Sequence, residues 1–135
     1  MIFLDTTILL SAADQSDKLH EDGSEVLTAL AEERLSKAMT TDFVLDETLT
    51  LLRKRGARSS TISSLAENIL SSPKLRIVYV DDRLSQDSLA TFRKYERFSF
   101  TDAVSLTAMK KCRIQEIYSH DKDFDLKGIV RKERP

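Results

Sequence analysis

Apolar residues along this chain fall into two rhythms. Short runs such as Ile2-Phe3-Leu4, Ala38-Met39 and Leu75-Arg76-Ile77-Val78-Tyr79-Val80 are compact and, in the last case, rich in β-branched residues, as buried strands are. Glu116-Ile117-Tyr118-Ser119 and Ile129-Val130-Arg131 complete the set of expected strands. Between them the apolar positions recur at helical spacing. A helix starts at Thr6-Thr7 ahead of Ile8-Leu9-Leu10, and another covers about residues 21–35 with Val26, Leu27, Leu30, Ala31 and Leu35 inward. A strong helix runs from Asp42 to Arg55 and stops at Gly56. One over residues 60–70 closes at Ser71-Ser72-Pro73, and Asp81-Asp82 cap one that ends near Lys94. Residues 122–126 form a turn or short helix ahead of Gly128.

Strands alternating with helices predict an α/β domain whose mainly parallel sheet is covered on both faces. Its 135 residues suit one domain, residues 1–135, and no repeat, low-complexity tract or linker divides them. With three glycines and two prolines there is little material for long loops.

The segment Phe100-Thr101-Asp102-Ala103-Val104-Ser105-Leu106-Thr107-Ala108-Met109 departs from the amphipathic pattern. Residues 103–109 are nearly all apolar or small, so most of this helix's circumference is expected to be buried. Thr101 is the expected cap. Asp102 then sits in the first turn, where the helix dipole favours negative charge by roughly 0.3–1 kcal/mol. Taken alone, Asp102 needs no explanation beyond that dipole.

Other acids change the picture. In open parallel sheets, ligands bind beyond the carboxyl ends of the strands. Asp5 follows the first strand directly, and Asp121 follows the strand at 116–119. Glu47 has Phe43, Val44, Thr50 and Leu51 as its helical neighbours, a mostly apolar face, where a carboxylate is costly unless paired or bound to a cation. Each acid has its own structural explanation as a turn, cap or border residue. Together, Asp5, Glu47, Asp102 and Asp121 form a carboxylate cluster whose mutual repulsion calls for a cation: two unit charges ~4 Å apart interact by about 4 kcal/mol at an effective dielectric near 20. All-oxygen ligands suit Mg²⁺ or Mn²⁺, as one or two ions, and such sites serve phosphodiester hydrolysis.

Composition excludes several alternatives. The chain is 41% hydrophobic and 32% charged, ordinary for a soluble globular protein, and no apolar run is long enough to span a bilayer. Asp5 interrupts the start before a signal-peptide core can form, so a cytoplasmic protein is expected. Cys112 cannot form an internal disulfide and is expected to be a packed thiol. There is no Gly-rich phosphate loop, no His-containing metal spacing around His20 or His120, and no nucleophile elbow. The formal net charge of −1 weighs against an extended nucleic-acid footprint, although two bound divalent cations would make it positive. Local basic runs remain at Arg53-Lys54-Arg55 with Arg58, at Lys110-Lys111 with Arg113, and at Arg131-Lys132 with Arg134. Two further classes compete with a hydrolase: a silent binding module on the same fold, and a receiver-like phosphoacceptor suggested by Asp81-Asp82, which lacks a convincing acceptor-and-lysine arrangement.

At Phe3-Leu4-Asp5-Thr6-Thr7, Asp42-Phe43-Val44-Leu45-Asp46-Glu47, Ser99-Phe100-Thr101-Asp102-Ala103 and Ser119-His120-Asp121-Lys122-Asp123-Phe124 the chain resembles the PIN-domain ribonucleases. Among these it is most similar to the compact VapC-type toxin nucleases and the archaeal single-domain PIN proteins. The resemblance covers essentially the whole chain. It implies a three-layer α/β/α domain with a central five-stranded parallel sheet and an acidic pocket at its carboxyl edge. It places the family's catalytic and metal-binding quartet on Asp5, Glu47, Asp102 and Asp121, with Asp123 as an assisting acid and Thr7 and Thr101 as hydroxyls beside the site. It further implies Mg²⁺- or Mn²⁺-dependent cleavage of RNA (tRNA, rRNA or mRNA), a homodimer and, for a toxin rather than a housekeeping RNA-processing nuclease, a small antitoxin that blocks the pocket. Arg53, Lys54 and Arg55 are then the expected guides for RNA.

Overall fold

A computed structural model describes residues 1–135. Its five strands are β1 (Ile2–Leu4), β2 (Ala38–Thr41), β3 (Leu75–Val78), β4 (Glu116–Tyr118) and β5 (Val130–Lys132). Six α-helices separate them: α1 (Thr6–Ala13), α2 (His20–Ala31), α3 (Asp42–Lys54), α4 (Ser59–Ser71), α5 (Asp82–Lys94) and α6 (Phe100–Lys111). A single 3₁₀ turn lies at Lys122–Phe124. All strands are parallel, in the order β3-β2-β1-β4-β5. The expected α/β class and parallel sheet are therefore observed.

Right-handed crossovers from β1 to β2 and from β2 to β3 put α1–α4 on one face of the sheet. The crossover that returns from β3 to β4 puts α5 and α6 on the other. The helix contacts agree: α1 packs on α2 and α3, α3 on α4, and α5 on α6. Between the layers, 23 buried residues form one apolar cluster that takes in all of β1, Met39, Ile117 and Tyr118. The seven residues Ala103–Met109 are all buried, as their apolar run requires, so α6 is enclosed rather than surface-laid.

The helix stops explain where the elements end. Gly56 takes a φ of 82°, with its amide donating to the Arg53 carbonyl and the Ala57 amide to that of Leu52. This pair of bonds closes α3 through a left-handed residue, as the sequence predicts. The helix expected over 21–35 instead ends at Ala31, because Glu33 takes the same left-handed conformation (φ 61°) and the Arg34 amide turns back to the Ala29 carbonyl. No glycine marks that stop. β3 is two residues shorter than expected, since the Val80 amide donates to Asp42 Oδ1 instead of continuing the ladder. Two further corrections concern side chains. Cys112 is exposed at the C-terminal cap of α6, not packed. The cap of α6 is Ser99, not Thr101, so the helix begins two residues earlier than that cap implies.

Gly23 marks the closest approach in the fold. A Cβ there would lie 2.2 Å from Ser11 Oγ and 2.8 Å from the Ile8 carbonyl, so α2 crosses α1 with no room for a side chain. That contact anchors the helix that starts at Asp5.

Candidate active site

The strand order changes direction between β1 and β4: β1 connects onward to β2 and β3 on one side, while β4, reached after β3, pairs on the other. A crevice forms at the carboxyl ends of the strands at such a switch point. Asp5 is the residue after β1, and Ser119-His120-Asp121 follow β4, so both arms of the crevice carry acids.

Asp5 is 2% exposed and caps α1. Its Oδ2 accepts hydrogen bonds from Thr7 Oγ1 at 2.8 Å and Ser119 Oγ at 2.7 Å, and a longer one from the Thr7 amide at 3.4 Å. No side-chain donor reaches Oδ1. Burial raises the Asp5 pKa, and the hydroxyl and amide donors oppose that only in part. Asp102 is joined to Ser99 in a reciprocal capping box: the Ser99 amide donates to Asp102 Oδ2 at 3.0 Å, and the Asp102 amide donates to Ser99 Oγ at 3.1 Å. Its pKa is pushed up to about 6, first by desolvation and further by the negative charges of Asp5 and Asp121, while the Ser99 bonds pull it down. Asp121 is half-buried and caps the 3₁₀ turn, where its Oδ1 accepts from the Asp123 amide at 2.8 Å.

The structure thus brings Asp5, Asp102 and Asp121 within electrostatic reach of one another. Ten ion pairs occur elsewhere in the molecule, yet none involves these acids, Glu47 or Asp123. Glu47 is on α3, which packs against α6, but no contact joins it to the three aspartates. Phe43, one turn before it on α3, packs against Phe100 of α6 with ring centroids 6.1 Å apart, two residues from Asp102. Glu47 is half-buried and has no hydrogen-bond partner. Thr7 is central, since its Oγ1 donates to Asp5 and accepts from the His120 amide at 2.9 Å. The Thr101 hydroxyl bonds to none of the acids. The basic run divides. Arg55 is held by Asp14 and Asp17 at 2.8 and 2.9 Å, which ties the end of α3 to the α1–α2 loop. Arg53 and Lys54 line a separate groove between α3 and α4. At 1.5 Å per residue they lie about 16–18 Å along α3 from the carboxyl end of β2.

Sequence reasoning missed Ser119. Its hydroxyl donates to Asp5 Oδ2, accepts from the Asp121 amide at 3.0 Å, and lies 3.3 Å from Thr7 Oγ1. It therefore links the two arms of the crevice. Arg131 Nη1 in turn donates to the Ser119 carbonyl at 2.9 Å from β5. The only sequence signal was a serine directly after a strand and two residues before an acid. Ser119→Ala is expected to lower the unfolding free energy in urea by about 2 kcal/mol, because a buried bond to a carboxylate is lost together with an acceptor for the Asp121 amide.

One buried and two half-buried aspartates, with neutral donors and no cationic partner, fit a hard divalent ion. No three His, Cys, Asp or Glu side chains stand close enough to enclose an ion by themselves. That spacing suits Mg²⁺, which keeps several waters and takes one or two carboxylates directly.

A parallel α/β domain with uncompensated acids at its switch point defines a class of site. The PIN domain family model matches residues 2–129, and the chain belongs to that family. It is similar to a VapC ribonuclease of Archaeoglobus fulgidus, 31% identical over 131 residues that cover 95% of this chain and 81% of the relative. It is also similar to the 23S rRNA-specific endonuclease VapC20 of Mycobacterium tuberculosis, 29% identical over 132 residues and 96% of each chain. The crystal structure of that protein, described as a sarcin-ricin loop cleaving toxin, superposes with a TM-score of 0.85 at 30% identity over 100% of both chains. The VapBC2 complex of Rickettsia felis matches at TM-score 0.69 and 14% identity over 98% of each chain, a likeness of fold.

Proposed function

We propose that this protein is an endoribonuclease that hydrolyses RNA phosphodiester bonds with Mg²⁺ or Mn²⁺, and that it serves as the toxin of a toxin–antitoxin pair. The observation that carries the reading is the set of Asp5, Asp102 and Asp121, coupled to one another at the sheet's switch point with no cation beside them. Membership of the PIN domain family and similarity to VapC ribonucleases over nearly the whole chain support it.

In this reading Asp5, Asp102 and Asp121 would hold the ion, one or two directly and the rest through its waters, with Glu47 contributed from α3. A bound divalent ion of this kind lowers the pKa of water and offsets charge on the phosphate. The chain's own part is preorganisation. Thr7 and Ser119 fix the Asp5 carboxylate through Oδ2 and place no side-chain donor on Oδ1. Ser99 holds Asp102 through the capping box, so that acid does not reorient when charge builds beside it. Glu47, free of other partners, orients the attacking water.

A small antitoxin, a second copy of the chain and a cytoplasmic location belong to the same proposal. No helix is long and apolar enough to cross a membrane. A silent binding module has no use for buried acids without counter-charges. The test is cleavage of labelled single-stranded RNA by the purified protein with Mn²⁺ or Mg²⁺. Cleavage that stops with EDTA and returns with added ion is expected, and cleavage indifferent to chelation would refute the metal assignment.

A further inference from the structure

Beside the acids lies a cavity of about 430 Å³ whose two walls are residues 94–98, from the α5–α6 connection, and residues around the 3₁₀ turn between 122 and 126. Both walls run directly into the site. The first continues into Ser99 and Asp102, and the second begins next to Asp121. Its volume falls within the ~300–1,000 Å³ that ligand pockets occupy.

Its chemistry points to one kind of occupant. Tyr95 is half-exposed on the wall and leans on buried Phe98 with centroids 5.1 Å apart; Phe98 leans on Phe124 at the same distance. The ring therefore stands on a rigid aromatic base. The ammonium groups of Lys94 and Lys110 lie over the Tyr95 ring, 5.3 and 5.9 Å from its centroid, on flexible stems that a stacking base would displace toward its phosphates. Lys94, Arg97 and Lys122 are exposed and form no ion pair, in a molecule where ten ion pairs occupy many other cations. Of the acids on the walls, Asp125 is already neutralised by Arg131 at 2.7 Å, which leaves Glu96 and Asp123. An aromatic platform ringed by unpaired cations is how proteins hold unstacked bases and the phosphates between them. A base inside a duplex cannot reach such a platform.

We propose that this cavity is a nucleotide subsite for single-stranded RNA, in which Tyr95 stacks a base beside the scissile phosphate and Lys94, Arg97 and Lys122 hold the adjoining phosphates. It rests on the ribonuclease reading and adds to it where the substrate strand runs. It also moves the RNA path from the α3 end, where Arg55 is bound by two aspartates, to the α5–α6 connection.

The test is fluorescence anisotropy of short 5′-fluorescein oligo(A) and oligo(U) RNAs with the full chain in EDTA, where nothing is cleaved. Tyr95→Ala is expected to weaken binding about 5- to 100-fold and Tyr95→Phe to preserve it. Replacing Lys94, Arg97 and Lys122 together by Ala is expected to flatten the slope of log affinity against log salt by about 2, at roughly 0.7 per lost phosphate contact. These three side chains are exposed, so that variant reports even if Tyr95→Ala fails to fold. Arg53→Ala with Lys54→Ala is expected to bind as wild type does. The subsite is overturned if folded Tyr95→Ala binds within twofold of wild type, if the triple variant keeps the full salt slope, or if duplex RNA binds equally well. If the wild type binds neither RNA but cleaves RNA with Mn²⁺, the subsite falls and the ribonuclease reading stands; if it does neither, both fall.

Discussion

Asp5→Asn is expected to reduce divalent-ion-dependent RNA cleavage by about 10³-fold while leaving the melting temperature of the ion-free protein at or above that of wild type. The loss follows from removing a charge that faces the ion, where several kcal/mol of transition-state stabilisation are at stake and ~4 kcal/mol equals a thousandfold in rate. The retained stability follows from the same geometry. Asn can accept through one oxygen the bonds that Thr7 and Ser119 now give to Oδ2. Its amide would then occupy the position of Oδ1, and Asp102 would no longer feel a charge at Asp5. A buried, unpaired negative charge is exchanged for a neutral donor. A second readout separates ion binding from chemistry: Mn²⁺ should raise the melting temperature of wild type by mass action and leave that of Asp5→Asn unchanged. A variant that melts well below wild type without ions would show Asp5 to be a structural cap first.

The ion-free protein is also expected to become less stable as pH rises from about 5 to about 6, and Mg²⁺ or Mn²⁺ should offset that loss at pH 7. The sign is set by Asp102, whose pKa goes from an ordinary 3.8 to about 6 on folding. Between those values the folded chain binds more protons than the unfolded one, so stability falls with increasing pH and levels off above the folded pKa. Asp5, raised by burial, acts in the same direction. Asp14, Asp17, Asp87, Glu33 and Glu133 are lowered by basic partners or hydroxyls and act in the opposite one. Their contribution is complete once pH passes the ordinary carboxylate range, which leaves the site acids to dominate from about pH 5 upward. Urea denaturation in EDTA at pH 5 and pH 7 measures the effect. Asp102→Asn should flatten it, since Asn still accepts from the Ser99 amide; an unchanged slope in that variant would assign the dependence to other groups.

The sheet and its helices were legible because their signals are local and repeat. Three-residue apolar runs can be buried strands between helices of the right length, and the Gly56 stop and the Asp81 cap are chemistry that a few residues encode. The misplaced boundaries lack such chemistry. Glu33 is left-handed without being glycine, and β3 is cut short by Asp42, 38 residues away in sequence. Asp5 and Asp121 could be placed at one edge because each directly follows a strand. That they face each other needed the strand order, which puts β1 beside β4. Ser119 was invisible for the same reason: its partner is 114 positions away. Arg55 looked like a free surface cation, and only the folded α1–α2 loop shows it to be engaged.

That 114-residue separation has a bearing on synthesis. The chain emerges N-terminal end first, and β1, β2 and β3 can pair while the rest is still being made. The crevice cannot exist until β4 has added to the free side of β1 and delivered Ser119 and Asp121 to Asp5. A chain that stops between residues 102 and 119 contains Asp5, Glu47 and Asp102 but lacks the second wall of the crevice. On the proposed assignment of Asp5 and Asp121, the nuclease is expected to stay inert through most of its elongation and to become complete only as its last strands dock.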